Sequence, residues 1–297
     1  NITPTAAWFT PDTTAPTLTI TAAEVNDGDT SNDGTLSLTF TLSEATSDFV
    51  KTDITVVGGS LGDLSGSGTT YTATFTPSGA GATTIDVAGG AFTDAAGNNN
   101  TAATQFNWTY DAIAPTLSSV SIASDNSTTT LAKVSNVVTL TFTASETIST
   151  PVVTFLSGGA AITDTSVTYA NTSGNTWTAA YIANASDTSG AVSFSIAYAD
   201  TVGNAGTAVT SGSGSVTFDK TAPTMTITAA EVNDGDTSND GTLSLTFTLS
   251  EATSNFGVDD IDVTNGTLTS FYPPAVTTVY TATFTPSGAG ATTIDVA

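Results

Sequence analysis

Acidic and amide side chains recur at three fixed places in this sequence, and their spacing is the pattern best suited to chemistry. One place is the first residue of an Asp-x-x-Ala-Pro-Thr hexapeptide, which occurs at Asp12, Asp111 and Asp219. Another is the acid of a Ser-Glu pair, at Glu44, Glu146 and Glu251. The third is an Asp-x-x-Gly-Asn loop, which supplies Asp94, Asn98, Asp200 and Asn204. Carboxylate and amide oxygens are the ligands that Ca²⁺ prefers, so this set predicts calcium sites.

The residue types that most enzymes use are missing from the sequence. The chain of 297 residues has no His and no Cys, so it lacks the commonest general base and any thiol nucleophile. Paired carboxylates can hydrolyse glycosides, but here the acids belong to repeated turns rather than to one cleft. The sequence therefore predicts a protein that is not an enzyme.

The charge balance favours a cationic partner. Lys and Arg together number 3 and Asp and Glu 27, which gives a formal net charge of −24. Nucleic acids and anionic membrane surfaces both require clustered Lys and Arg, so neither is an expected partner. Because no run of about 18 apolar residues is present, direct membrane insertion is not expected either. A divalent metal is the simplest partner for such a chain.

Long blocks of the sequence occur twice. Thr14–Ser47 recurs as Thr221–Ser254 with one change, in which Leu18 becomes Met225. Tyr71–Ala88 recurs without change as Tyr280–Ala297. Repetition on this scale indicates an array of one folding unit, and near-identical copies multiply length, stiffness or valency.

The hexapeptide divides the chain into three repeats, which span residues 12–110, 111–218 and 219–297. Residues 1–11 align with the end of a preceding repeat. The second repeat is divergent, and the third is expected to be truncated before its last strand. We expect a window cut from a longer array, with exchange of end strands between chains as the alternative.

The hydrophobic pattern predicts strands throughout. In Thr35–Ser43 every second residue is apolar and the others are Ser or Thr, and Val138–Ala144 and Phe106–Tyr110 follow the same period. A period of two is typical of a half-buried strand, and the branched side chain of Thr suits a pleated surface. The spacing of these segments predicts an all-β protein of tandem immunoglobulin-like β-sandwich repeats. Such modules joined head to tail form an elongated rod.

The strand order of such a sandwich brings the three acidic motifs to the end where each repeat begins. The first strand starts there, the second strand returns there, and the loop before the last strand lies there. We therefore expect Asp111, Glu146, Asp200 and Asn204 to converge where the second repeat meets the first. Ordinary turn chemistry is the alternative, because Asp and Asn side chains cap backbone N–H groups in turns.

The loop after the first strand, here called the exit loop, is also rich in acids. In the first repeat it should face the junction with the second repeat. Asp27-Gly-Asp29 opens like an EF-hand, but Leu38 stands where the final Glu is required, so that motif fails. Direct calcium ligation and a solvated acidic tip both remain open for Glu24, Asn26, Asp27, Asp29, Asp33, Glu231, Asp234, Asp236 and Asp240.

Three motifs resemble those of a known group of proteins. Asp-x-x-Ala-Pro-Thr, Ser-Glu-Ala-Thr and Phe-Thr-Asp-Ala-Ala-Gly-Asn look like the tandem bacterial Ig-like repeats of very large secreted adhesins and biofilm proteins. The resemblance covers the whole chain and implies an extracellular or cell-surface location and a stalk or adhesive role. Calcium stiffens the junctions of related arrays, so the resemblance also implies Ca²⁺ as a cofactor.

Three functional hypotheses follow. The first is a structural spacer, a stalk segment of a large extracellular bacterial adhesin whose partners are the neighbouring repeats of its own chain. The second is a subunit of a self-assembling filament, sheath or surface layer, in which identical chains associate. The third is a multivalent glycan- or receptor-binding module. No aromatic cluster or basic patch in the sequence marks a binding face for the third.

Overall fold

A computed structural model describes residues 10–273 and 276–296 of the chain. All regular elements in these ranges are β-strands or short 3₁₀ helices. Across the described ranges, no helix has the length and apolar character needed to cross a bilayer. The predicted end of a preceding repeat, residues 1–11, lies outside the described residues except for Thr10 and Pro11.

The first repeat is a sandwich of two four-stranded sheets, with orders β1-β3-β6-β5 and β2-β8-β7-β4. A 3₁₀ helix, Lys51–Asp53, precedes the fourth strand. The strands are β1 (Leu18–Ala22), β2 (Thr30–Ser31), β3 (Leu36–Thr46), β4 (Ile54–Val57), β5 (Gly59–Leu61), β6 (Ser65–Pro77), β7 (Gly81–Val87) and β8 (Phe106–Tyr110). The two sheets enclose a core that includes Phe40, Phe75 and Trp108.

The second repeat has a four-stranded sheet of order β14-β15-β11-β9 and a five-stranded sheet of order β10-β17-β16-β12-β13. Its strands are β9 (Leu117–Ser124), β10 (Leu131–Ala132), β11 (Val137–Ala144), β12 (Val152–Ser157), β13 (Ala160–Ala161), β14 (Thr168–Ser173), β15 (Thr176–Ile182), β16 (Gly190–Ala197) and β17 (Thr217–Phe218). A separate core forms around Phe142, Phe155 and Tyr181.

The third repeat forms a compact unit of its own that begins at Lys220. A four-stranded sheet of order β18-β19-β22-β21 packs with the two-stranded sheet β20-β23 around Phe247, Tyr280 and Phe284. A 3₁₀ helix, Val258–Asp260, precedes β20. The strands are β18 (Met225–Ala229), β19 (Leu243–Thr253), β20 (Ile261–Thr264), β21 (Gly266–Tyr272), β22 (Thr277–Pro286) and β23 (Thr293–Val296).

Alternating burial explains why these segments are strands. Along β3 the alternate residues from Leu36 to Leu42 are buried, while Ser37 and Thr41 on the opposite face are exposed. Both neighbours pair with β3 antiparallel, which places Phe40 opposite Ile20 and Tyr71. A sheet that buries one face needs a second sheet to cover it. The prediction of tandem immunoglobulin-like sandwiches is confirmed.

The second repeat places a tyrosine where the first has a phenylalanine. Tyr181 pairs with Val138 in β11, just as Phe75 pairs with Leu36 in β3. Among the described residues, the Tyr181 hydroxyl has no hydrogen-bond partner, and the residue is only 1% exposed. Burial raises the pKa of Tyr181, and the nearby charge of Asp187 raises it further. The hydroxyl is therefore a buried dipole without an internal partner.

We expect the substitution Tyr181→Phe to stabilise the second repeat by about 1 kcal/mol, because it removes a desolvated hydroxyl that makes no compensating hydrogen bond. Chemical denaturation of the chain and of the variant measures the difference. Phe75→Tyr is the matched control, and it should destabilise the first repeat by adding the same hydroxyl to a core. A loss of stability in Tyr181→Phe would contradict the expectation and reveal a bridging water.

Candidate metal centres

Three carboxylates converge at the start of the first repeat. One oxygen from each of Asp12, Glu44 and Asp94 lies within 4.8 Å of the other two. Asp12 precedes β1, Glu44 lies near the end of β3, and Asp94 lies in the loop between β7 and β8. We call this group the first carboxylate cluster. The strand order delivers all three acids to one end of the sandwich, as the sequence predicts.

A second carboxylate cluster occupies the same place in the second repeat. Asp111, Glu146 and Asp200 approach one another within the same 4.8 Å limit. Asp200 is only 3% exposed. Because the same three motif positions form both groups, the cluster is a property of the repeat rather than of one local turn.

The placement of Glu44 differs in one respect from the prediction. The alternation in Thr35–Ser43 predicts a strand that ends at Ser43-Glu44, but β3 continues to Thr46. The extension exists because Thr46 pairs with Gly68 of β6 after an irregularity in the register. In the second repeat β11 ends at Ala144, so Glu146 follows the strand.

In each cluster one carboxylate belongs to a tight Asp-x-x-Gly-Asn loop. The aspartate that begins the loop also accepts the hydrogen bonds that stabilise it. Asp200 Oδ1 accepts backbone hydrogen bonds from Val202 (2.9 Å), Gly203 (2.7 Å) and Asn204 (2.8 Å). Gly203 has a φ of 102°, a value that residues with a side chain rarely adopt. Asn204 Nδ2 donates to Asp200 Oδ2 at 2.7 Å and to the backbone oxygen of Asp111 at 3.0 Å. The loop is thereby tied to the segment that enters the repeat.

The first repeat has the same arrangement. Asp94 Oδ1 accepts hydrogen bonds from the N–H groups of Ala96 (2.8 Å) and Asn98 (2.9 Å). Asn98 Nδ2 donates to Asp94 Oδ2 at 2.8 Å and to the backbone oxygen of Asp12 at 3.2 Å. In both loops the amide nitrogen is fully engaged, so Asn98 and Asn204 position their cluster and keep only Oδ1 available as an acceptor.

Hydrogen bonding keeps the two loop aspartates ionised. The Asn98 side chain, with backbone N–H groups of the loop, lowers the pKa of Asp94. Burial acts to raise the pKa of Asp200, but hydrogen bonds from the Asn204 side chain and from three backbone N–H groups outweigh it, and the net pKa is lowered. Both carboxylates are therefore charged near neutral pH, which is the state a metal ligand requires.

The pKa of Glu44 is shifted in the opposite direction, upward. Desolvation raises the pKa of its carboxyl, and the negative charges of Asp12 and Asp94 raise it further. Such a rise is the expected response to like charges held close together. A cation between the three carboxylates would remove this repulsion.

The substitution Glu44→Gln should raise the thermal unfolding temperature of the first repeat in chelator, because it removes one of three repelling charges. With calcium present the variant should gain less than the parent, because it has lost a charged ligand. In chelator the difference should shrink as pH falls through the raised pKa of Glu44, which lies above its ordinary value of 4.5. Thermal unfolding at several pH values checks this, with Glu251→Gln in the third repeat as the control. An unchanged response to calcium would contradict it.

The acids of the exit loop bond mainly to backbone N–H groups. The first-repeat pairs are Glu24 Oε2 with Ser37 N (2.8 Å), Asp27 Oδ1 with Asn107 N (2.7 Å) and Asp29 Oδ2 with Asn26 N (2.8 Å). In the third repeat Glu231 Oε2 accepts from Ser244 N at 2.7 Å and Asp236 Oδ2 from Asn233 N at 2.9 Å. These contacts are ordinary turn chemistry, in which acidic side chains cap backbone N–H groups.

The remaining candidate residues lie outside the two clusters. Asp33 is half-buried, Asp234 is exposed, and Asp240 accepts a hydrogen bond from the Ser238 hydroxyl. Asp219 donates its N–H to the backbone oxygen of Ala132 at 2.9 Å, and Glu251 is half-buried within β19. Within residues 10–273 and 276–296, only the two entry-end groups bring three acids together. Direct ligation by the exit loop stays a prediction.

The exit loop of the first repeat does reach the second cluster. Asn32 Nδ2 donates to Asn204 Oδ1 at 3.3 Å, so the loop touches the residue that positions Asp200. The sequence predicts that this loop faces the junction, but it does not single out Asn32. Asn32 recurs as Asn239, but every other residue of the exit loop recurs as well, so no sequence signal distinguishes it.

Asp48 is a second residue that sequence reasoning missed. Its carboxylate accepts hydrogen bonds from the N–H of Thr93 at 3.1 Å and from the Thr93 hydroxyl at 2.8 Å. The Thr46 hydroxyl donates to it as well and contributes most to lowering the pKa of Asp48. Thr93 directly precedes Asp94, so Asp48 anchors one side of the first cluster. The corresponding residue of the third repeat is Asn255.

Two protein-family models match this sequence. A model described as "Bacterial Ig-like domain" matches residues 12–110 and 219–297. The chain belongs to the bacterial Ig-like domain family. A second model, "Bacterial Ig-like domain (group 3)", matches residues 68–211. The resemblance to tandem bacterial Ig-like repeats is thereby confirmed.

Two solved structures illustrate what this bacterial Ig-like chain is similar to. The I67–I69 fragment of the titin I-band is 10% identical with a TM-score of 0.38, covering 92% of this chain and 89% of that chain. Invasin, described as a bacterial integrin-binding protein, is 16% identical with a TM-score of 0.36, covering 93% of this chain and 56% of that chain. A comparison with curated proteins gives no match.

Family membership narrows the class of function. Ig-like domain families are generally structural or binding modules rather than enzymes. Membership in a bacterial Ig-like family suggests that this chain belongs to a surface or extracellular protein.

Proposed function

We propose that this chain is a spacer segment of a large extracellular bacterial surface protein, and that calcium bound at the carboxylate clusters stiffens the joints between its repeats. The supporting observation is the recurrence of the same cluster at the entry end of two successive repeats. The second of these clusters adjoins the exit loop of the repeat before it.

The donor set of each cluster suits Ca²⁺. Three carboxylates supply up to six oxygens, and Ca²⁺ takes six to eight oxygen ligands in flexible geometry, with water completing the shell. Mg²⁺ demands near-ideal octahedral geometry and dehydrates reluctantly, so it should compete poorly. The loop bonds that keep Asp94 and Asp200 ionised prepare the site before the ion arrives.

The position of Asp111 explains how an ion would act on a joint. Asp111 directly follows Tyr110, the last residue of β8, and its N–H donates to the backbone oxygen of Ser31 at 2.9 Å. Asp111 is the first residue of the second repeat, and its side chain lies with Glu146 and Asp200 of that repeat. An ion held by all three would tie the end of one repeat to the body of the next. Without the ion, the three charges repel and loosen the connection.

Repetition supports the spacer role itself. The clusters are copies rather than one unique constellation, and repeated modules extend and stiffen a chain without adding new chemistry. A net charge of −24 distributed along such a chain favours solubility and keeps neighbouring segments apart.

Calcium titration by calorimetry, with thermal unfolding and small-angle scattering of the full chain, tests the proposal. Calcium should raise the unfolding temperature and lengthen the particle, and magnesium should do much less. Glu146→Gln combined with Asp111→Asn should abolish one site, whereas the exposed Asp259→Asn should leave binding unchanged. Absence of calcium binding to the parent would refute the metal-stiffened joint.

Two further measurements test the spacer role and the location. Sedimentation at rising concentration should give a single species, whereas growth of the particle would favour a self-assembling subunit. Antibody labelling of intact source cells should stain their surface, and staining only after permeabilisation would remove the extracellular assignment.

A further inference from the structure

We infer that Asn32 and Asn204 form a latch that fixes the angle between the first and second repeats without any bound cation. The latch consists of the Asn32 side-chain amide in the exit loop of one repeat and the Asn204 side-chain oxygen in the entry loop of the next, 3.3 Å apart. This inference goes beyond the proposed calcium role, because its donor and acceptor are neutral.

The orientation of the Asn204 amide is determined by its surroundings. Its nitrogen donates to the Asp200 carboxylate at 2.7 Å and to the backbone oxygen of Asp111 at 3.0 Å. A flipped amide would place oxygen against both of these acceptors, which is unfavourable. The Asn204 oxygen must therefore face away from the cluster and can only accept. Asn32 donates its amide N–H to this oxygen. One side chain therefore acts as donor and the other as acceptor, and the two roles cannot be exchanged.

The shape of the entry loop leaves room for this contact. Gly203 lies at the apex of the loop, and a β-carbon built there would come 3.7 Å from Asn32 Nδ2. That distance is an ordinary van der Waals contact, so Asn32 lies directly against the apex of the entry loop. The glycine itself is required by the left-handed turn of the loop, with its φ of 102°.

The segment that presents Asn32 is firmly held in its own repeat. The two residues before it form β2, in which Thr30 pairs with Thr109 and Ser31 with Tyr110. The Trp108 indole N–H donates to the Ser31 hydroxyl at 3.0 Å. The donor is anchored by β8 and the acceptor by Asp200, so the hydrogen bond connects two segments that are each held within their own repeat.

The parts of the latch recur along the chain. Asn98 commits its nitrogen to Asp94 and Asp12 in the same way as Asn204, so the first repeat presents the same acceptor at its entry end. Asn239 is the counterpart of Asn32 in the third repeat. The partner that an entry loop of this kind fits is therefore an exit loop with the sequence of the first repeat, which ends in Thr-Ser-Asn-Asp-Gly.

The chain contains no Cys, so two spin labels can be placed without other changes. Thr72→Cys in β6 and Thr154→Cys in β12 put labels on exposed strand positions of the first and second repeats. Electron–electron double resonance in chelator should give a distance distribution dominated by one component, and calcium should narrow that distribution further. Asn32→Ala should broaden it and lower the ratio of latched to unlatched states about two- to tenfold, as expected for one hydrogen bond. Asn32→Asp, which replaces the donor with an acceptor, should broaden it at least as much. Asn239→Ala, the matched change in the third repeat, should leave it unchanged.

The outcomes separate the latch from the calcium proposal. A distribution that is broad in chelator, narrows only with calcium and ignores Asn32→Ala would overturn the latch and leave the metal-stiffened joint standing. A distribution that is narrow in chelator, broadens in Asn32→Ala and ignores calcium would establish the latch and remove the metal from the joint. Sensitivity to both would support the two together.

Discussion

Replacing Asp200 with alanine should lower the free energy of unfolding of the second repeat by about 3 kcal/mol, because several donors lose a charged acceptor at once. The side chain is 3% exposed, and its Oδ1 accepts three backbone hydrogen bonds. Asn204 loses its partner as well, and with it the contact to the backbone of Asp111 is weakened. Few substitutions outside the core should be as costly in this chain. Chemical denaturation with hydrogen-exchange mass spectrometry assigns the loss to the second repeat.

Two control variants distinguish loss of the Asp200 hydrogen-bond network from loss of an acidic side chain in general. Asp200→Asn keeps an oxygen for the backbone N–H groups but turns an amide toward Asn204, so it should cost about half as much. Asp125→Ala removes an exposed acid that accepts a single backbone bond from Val137 at 3.0 Å, and it should cost about 1 kcal/mol or less. Equal losses in Asp200→Ala and Asp125→Ala would contradict the argument.

The same network predicts a pH dependence. The folded-state pKa of Asp200 is lowered from its ordinary value of 3.8. A carboxyl with a lowered folded pKa adds stability that is fully present above the unfolded pKa and is lost as pH falls through the folded pKa. The parent should therefore lose stability on acidification below about pH 4, and Asp200→Ala should lose less of it there. Parallel slopes for the two proteins would contradict the assignment.

The strands could be predicted from the sequence because alternating apolar residues indicate them directly. The convergence of the acids could be predicted because it follows from the order of those strands. Alternation of Leu36, Leu38 and Phe40 has only one efficient solution, a strand with one buried face. Once strand order is fixed, the ends of neighbouring antiparallel strands must meet, which places Asp111, Glu146 and Asp200 together without any knowledge of side-chain geometry.

What escaped prediction depends on partners that lie far away in the chain. Asp48 anchors Thr93, and no local pattern links two residues 45 positions apart. Burial is non-local as well. Ile85 is fully buried between β4 and β8, whereas Ile294, in an identical sequence block, is only half-buried. In the described part of the third repeat, β23 pairs with β20 alone. Identical residues thus differ in burial because their neighbours differ.

Trp108→Ala should be the most destabilising single substitution in the first repeat, at about 4 kcal/mol. The side chain is 1% exposed and lies edge-on to Phe75 with ring centroids 6.2 Å apart. Removing it would leave a cavity between the two sheets that neighbouring side chains can fill only in part. Because the indole N–H also donates to Ser31, the loss should extend to β2 and the exit loop. Chemical denaturation measures the cost, and hydrogen exchange at residues 28–32 reports the loosening.

Matched variants distinguish the two roles of this tryptophan. Trp108→Phe keeps most of the core contact but removes the donor to Ser31, so it should cost about 1–2 kcal/mol and still speed exchange in the exit loop. Trp177→Ala changes a half-buried residue of the second repeat and should cost clearly less than Trp108→Ala. If Trp108→Phe destabilises the core but leaves exit-loop exchange at the parental rate, the indole N–H does not hold β2. In that case the remaining hydrogen bonds between the exit loop and residues 107–111 hold Asn32 at the joint.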